Sequence, residues 1–144
     1  MRTVVTENQE ILRQFIEANL EQKMPEESTF IGQENDGKLV AVVCFTGFIK
    51  NSCTMHIASI GNNWMTKDLL WSSFDYPFIK LQKKVILIGM NASNKEAVKL
   101  NRHLGFEEKA LIEDAHEKGD LLLMTMRKEQ CKWLNIKNSF NKGN

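Results

Sequence analysis

Residues 85–106 read VILIGMNASNKEAVKLNRHLGF, and this stretch decides the architecture. Val85-Ile86-Leu87-Ile88-Gly89-Met90 is apolar at almost every position, so both faces of the strand it forms are covered and it lies inside a sheet. Ser93 followed by Glu96 is a capping-box signature, which predicts a helix running to Leu104. Gly105 can then take the left-handed conformation that stops a helix.

Upstream, Leu39 to Phe45 is again apolar throughout and predicts a second doubly buried strand. The tripeptide Asn35-Asp36-Gly37 is a hairpin turn joining it to a strand at Thr29 to Gln33. Asn51-Ser52 turns the chain into a β-like run, Thr54 to Ile60, that stops at Gly61. From Thr66 to Leu81, Leu69, Leu70, Phe74, Phe78 and Leu81 mark a helix kinked at Pro77. That helix is a crossover, so the runs ending at Ile60 and starting at Val85 should lie parallel in a mixed sheet. Nearer the N-terminus, Ile11, Leu12, Phe15, Ile16 and Leu20 predict a first helix, with Thr6 and Gln9 as its capping box. Strands at Glu107 to Asp114 and Leu121 to Arg127, joined by Glu117-Lys118-Gly119, close the domain. The expected class is α/β (α+β), ordered α β β β α β α β β, with one domain over 1–134 and a polar tail over 135–144.

The 144 residues are 42% hydrophobic, enough to fill one core. Lys and Arg number 19 against 18 Asp and Glu, which leaves no electrostatic footprint for nucleic acid. Lys128, Lys132, Lys137 and Lys142 near the end are explained equally well as a solvated tail. Cys44, Cys53 and Cys131 lack the short paired spacing of zinc or disulfide frameworks and read as reduced thiols; no metal site is expected. With no apolar signal core and no membrane-length run, a soluble, cytoplasmic protein is expected.

The segment Asn94-Lys95-Glu96-Ala97 with Gly105-Phe106 at the far end of the helix resembles the signature of the GNAT superfamily of N-acetyltransferases. The continuation through Phe106-Glu107-Glu108, Gly119-Asp120 and Met124 to Glu129 is similar to the branch of ribosomal-protein N-terminal acetyltransferases and small phage-encoded relatives. The resemblance implies a GNAT fold in which two parallel strands splay and hold the pantetheine arm of acetyl-CoA like an added strand. It assigns that role to the backbone of Ile57, Ala58, Ser59 and Ile60, with Asn94 and Ala97 at the following helix. The pyrophosphate would rest on the N-terminus of the crossover helix, at Met65, Thr66, Lys67 and Asp68. An amine acceptor is implied, and a protein partner is compatible.

Two positions depart from the family. The usual Q/R-x-x-G-x-G/A loop is replaced by Gly61-Asn62-Asn63-Trp64-Met65-Thr66, which keeps neither motif glycine. Either Trp64 turns aside and the loop holds the cofactor by a modified path, or the site is lost. The family's tyrosine seven residues after the Asn is here Asn101, which is not an acid. His56 is the candidate general base, since it lies on the strand that meets the acetyl group and imidazole titrates in the useful range. His103, His116, Glu113, Asp114 and Asp120 read as solvated, and Tyr76, Trp64 and Trp71 as packing residues. Two functions follow: acetyl transfer from acetyl-CoA to a primary amine, or a catalytically silent GNAT fold acting as a binding or inhibitory module.

Overall fold

The computed structural model describes residues 1–136. In chain order its elements are β1 (Arg2–Val5), α1 (Gln9–Leu20), β2 (Thr29–Asn35), β3 (Lys38–Thr46), β4 (Ser52–Ser59), α2 (Lys67–Asp75), β5 (Val85–Asn91), α3 (Lys95–Leu104), β6 (Glu107–His116) and β7 (Gly119–Arg127). The strands form one seven-stranded sheet in the order β1-β2-β3-β4-β5-β7-β6. Every neighbouring pair is antiparallel except β4 and β5, which the crossover makes parallel as expected.

The all-apolar β3 is explained by a core on each face. Ala41, Val43 and Phe45 join Leu69, Phe74, Val98 and Leu104 beneath α2 and α3. Val42 and Cys44 join Leu12 and Ile16 of α1, with Phe30 and Ala58. Burial of Leu12 and Ile16 contributes about 1.5–3 kcal/mol each, which is what seats α1 on the sheet.

Several local expectations are corrected. β1 was not expected: its four residues carry only two apolar side chains, both half-buried, and it is an edge strand. The Thr6/Gln9 box does not form; Asn8 caps α1 in a left-handed conformation, φ 55°, without a side-chain bond. Gln9 instead donates to the carbonyls of Thr6 and Phe30 and accepts from the Phe30 N–H at 2.9 Å, so its amide occupies the β2 edge beyond the end of β1. α3 is capped by Asn94 rather than Ser93, the Asn94 side chain accepting from the Ala97 N–H at 3.2 Å. Gly105 does stop α3, at φ 111°.

Pro77 produces a π-helical turn, Tyr76–Lys80, in place of a simple kink. Leu81 N–H reaches back to the Tyr76 carbonyl at 3.0 Å, a widened turn that accommodates a residue with no N–H to donate. At the C-terminal end, 3₁₀ turns span Lys128–Gln130 and Lys132–Asn135, and the Trp133 indole donates to the Leu104 carbonyl at 2.6 Å. The second of these turns ends at Asn135, the first residue of the expected tail, and 137–144 lie outside the described residues.

Candidate functional site

β4 and β5 are in register at only three pairs, Ser52↔Val85, Cys53↔Ile86 and Thr54↔Leu87, and then part. Their outer edges stay paired much further, β4 with β3 as far as Ser59↔Ala41 and β5 with β7 as far as Asn91↔Leu121. The gap thus opens in the middle of the sheet, at the C-terminal ends of its two parallel strands. Backbone direction alternates along a strand. Ile60 N–H is bonded to the Val40 carbonyl at 2.8 Å, so Ile60 and Ala58 turn towards β3. Ile57 and Ser59 then turn their backbone groups into the gap. Val85 N–H bonds Asn51 on β4's side and Ala92 N–H bonds Asp120 on β7's side, so Gly89 faces the gap from the other wall.

The start of α2 lies at the same end. Thr66 caps it, accepting from the Leu69 N–H at 3.0 Å while its hydroxyl donates to Gln33 Oε1 at 2.8 Å. Gln33 is wholly buried, and its amide donates to the Glu34 carbonyl and to Asn35 Oδ1. Asn35 in turn donates to the Asn63 carbonyl at 2.9 Å, where the Arg2 guanidinium also donates at 3.2 Å. This chain of bonds pins the loop before α2 to the end of the sheet. Trp64 is turned into the core, 8% exposed, beside Val43, Met55 and Leu69. The N–H groups of Lys67 and Asp68 form no hydrogen bond among the described residues, and both side chains are exposed. Met65 is half-buried against the core.

α3 also begins at this end, with Asn94 and Ala97 bonded to each other across its first turn. One turn on, Asn101 is 4% exposed and donates to the Ala97 carbonyl at 2.9 Å and to Met90 Sδ at 3.6 Å. Its Oδ1 is buried with no partner among the described residues.

His56 sits two residues beyond the last registered pair, on the α1 face of the sheet with Thr54 and Ala58. Its Nε2 shares a hydrogen bond with Thr46 Oγ1 at 3.3 Å. Burial holds its pKa below the ordinary imidazole value, so the ring is neutral at neutral pH. Burial disfavours the reactive thiolate at all three cysteines, pushing Cys44 up to about 12, Cys53 up to about 11, and Cys131 upward as well. Tyr76 lies at the far end of α2, its ring 5.2 Å from that of Phe45. The His103 ring lies tilted to that of Trp133, 6.4 Å away, and Asp120 Oδ1 accepts from the Asp114 N–H in the β6–β7 hairpin. No cluster able to hold a metal ion occurs among the described residues.

No protein-family model and no curated protein sequence matches the chain. Solved structures do. A spermidine/spermine N-acetyltransferase SpeG from Vibrio cholerae superposes with a TM-score of 0.72 at 18% identity, over 94% of this chain and 98% of that one. YncA, a putative acetyltransferase from Salmonella typhimurium solved with its cofactor acetyl-CoA, gives 0.69 at 15% identity, over 88% and 93%. A putative phosphinothricin N-acetyltransferase gives 0.67 at 15%, over 88% and 98%. This chain has the GNAT fold. Within that GNAT frame, the expected residues Ile57, Ser59, Thr66, Lys67, Asp68, Asn94 and Ala97 gather around the open end of the β4–β5 gap, whereas Ala58 and Ile60 direct their backbone into β3. Gln33, Asn35 and Arg2 were not foreseen. The signal that could have found Gln33 is an amide directly continuing the apolar run Phe30-Ile31-Gly32, where a buried polar group needs a dedicated partner.

Proposed function

We propose that the chain is an N-acetyltransferase that binds acetyl-CoA in the gap between β4 and β5 and acetylates a primary amine presented from the α1 face. The three-pair splay carries this reading, because it exposes strand edges in the middle of a sheet, where an added strand-like ligand can pair with them. The fit is supported by the open backbone of Ile57, Ser59 and Gly89 for the pantetheine amides and by the unbonded N–H groups of Lys67 and Asp68 for the pyrophosphate. Bound there, acetyl-CoA supplies an activated acetyl thioester.

The chain's own residues do the rest. Neutral His56 would accept a proton from the bound ammonium so that the free amine can attack the thioester carbonyl, with Thr46 orienting its ring. As the C–N bond forms the C–S bond breaks, and CoA would leave as a thiolate that takes up the second proton shed by the amine nitrogen. Trp64, turned aside into the core, leaves the backbone before α2 clear for phosphate without the two glycines of the usual loop. Polyamines are the first acceptors to try, since one neighbour is a spermidine acetyltransferase.

The test is calorimetry with acetyl-CoA followed by an acetylation assay on spermidine. Ligand at about one hundred times its Kd adds about 2.7 kcal/mol of stability. The absence of tyrosine at Asn101 favours a second reading, a catalytically silent GNAT-fold binding or inhibitory module. No binding at millimolar acetyl-CoA, or tight binding with no transfer to any amine, supports that reading over the enzyme.

A further inference from the structure

A cavity of about 390 Å³ opens at the other end of α2, where its last turn and the π-helical turn meet the start of β2. That size falls within the range of small-molecule sites. Phe30, Trp71 and Tyr76 give it aromatic walls, and Asp75, Thr29 and Lys80 supply the polar groups.

Asp75 lines the cavity and is only 8% exposed. Its nearest cation is Lys80 Nζ at 3.8 Å, on a side chain that is 66% exposed. A flexible, solvated lysine at that distance offsets little of the cost of burying a carboxylate. A shielded anion beside aromatic faces is the arrangement that recognises a cation carrying an apolar body.

We infer that this cavity is a second binding site, which takes a small organic ammonium ion with its charge on Asp75 and its apolar body against Phe30, Trp71 and Tyr76. The site is separate from the β4–β5 gap. α2 has nine residues and spans about 13 Å, with Thr66 at the gap and Asp75 at the cavity. The inference goes beyond the acetyltransferase reading and does not depend on it.

The test titrates the full chain with phenethylammonium chloride and, in parallel, with the neutral 2-phenylethanol, followed by ¹H–¹⁵N spectra and calorimetry. The ammonium should shift the Trp71 indole and the amides flanking Pro77, and the alcohol should bind about tenfold or more weakly. Asp75→Asn should abolish that preference and leave acetyl-CoA affinity unchanged, so that loss of this site and loss of the cofactor site are told apart. Lys80→Ala, at an exposed side chain, should tighten the ammonium about threefold by removing its competitor. If Asp75→Asn fails to fold, the alcohol comparison and Lys80→Ala carry the test. Equal binding of amine and alcohol, shifts at Ile57 to Ser59 instead, or a preference that survives Asp75→Asn overturns the inference.

Discussion

Replacing Trp64 by glycine separates the two possible roles of the indole before α2. The side chain is 8% exposed and packs with Val43, Met55, Leu69 and Phe74 around a void of only about 10 Å³, so its neighbours are already close-packed. Truncating a buried Phe or Trp costs about 3–5 kcal/mol, and glycine adds up to about 1 kcal/mol of backbone freedom. The expected loss of about 3–6 kcal/mol is a large part of the 5–15 kcal/mol typical of a domain. For a chain of this length it lowers Tm by about 10–20 °C. Urea unfolding followed by circular dichroism measures it, because Trp71 and Trp133 would complicate fluorescence. Acetyl-CoA should bind no more tightly, since the carbonyl of residue 64, which accepts from the Thr66 N–H at 3.0 Å beside the cap of α2, would then sit on a freer glycine backbone. A loss below about 1 kcal/mol, or tighter acetyl-CoA binding, would refute this reasoning and identify the indole as an obstacle in the phosphate path.

His56→Ala should cut turnover by about 10²-fold or more with acetyl-CoA affinity unchanged, and wild-type activity should rise through a pKa below 6.5 and be level at neutral pH. Because burial depresses the folded-state pKa of His56, its contribution to stability is intact above its ordinary value of 6.5 and is lost as pH falls through the depressed value, a loss that His56→Gln should remove from the pH dependence of Tm. Lys67→Glu should weaken acetyl-CoA, with a deficit that shrinks between 0.05 and 0.5 M salt, as screening of an exposed charge over about 10 Å at 0.1 M requires. Asn101→Leu removes a buried oxygen that has no partner, so denaturant unfolding should show it neutral or more stable by about 1 kcal/mol; a loss of 2 kcal/mol or more would show that the oxygen is satisfied.

Much of the frame was legible where the chain's local and global demands agree. The unbroken apolar runs of β3 and β5 announced strands covered on both faces, and Gly105 announced the end of α3, because each residue there has one job. Misreadings fall on residues whose side chains serve distant partners. Thr6 and Gln9 have capping spacing, yet Gln9 is spent on the edge of β2, twenty-one residues away. β1 escaped notice because a short edge strand needs little apolar surface. In the candidate site, the apolar spacing set the start of the crossover helix at Thr66 and placed His56 on the strand that becomes β4. The bonds through Gln33 and Asn35 to Asn63 could not be read from spacing, since they join two strand residues to a loop nearly thirty positions on. Nor could the alternation that gives Ile57 and Ser59 to the gap and Ala58 and Ile60 to β3, which depends on register.

The narrow join between β4 and β5 also bears on how the molecule holds together. With three paired positions across it, the sheet is two half-sheets stitched along a short seam, β1 to β4 on one side and β5 to β7 on the other. Side-chain packing under α2 and α3, which belong to one continuous core, has to transmit cooperativity where the backbone ladder does not. A strand-like ligand laid into the opening adds rungs to both halves at once. Such a ligand lengthens the seam and becomes, while bound, a structural member of the sheet it occupies.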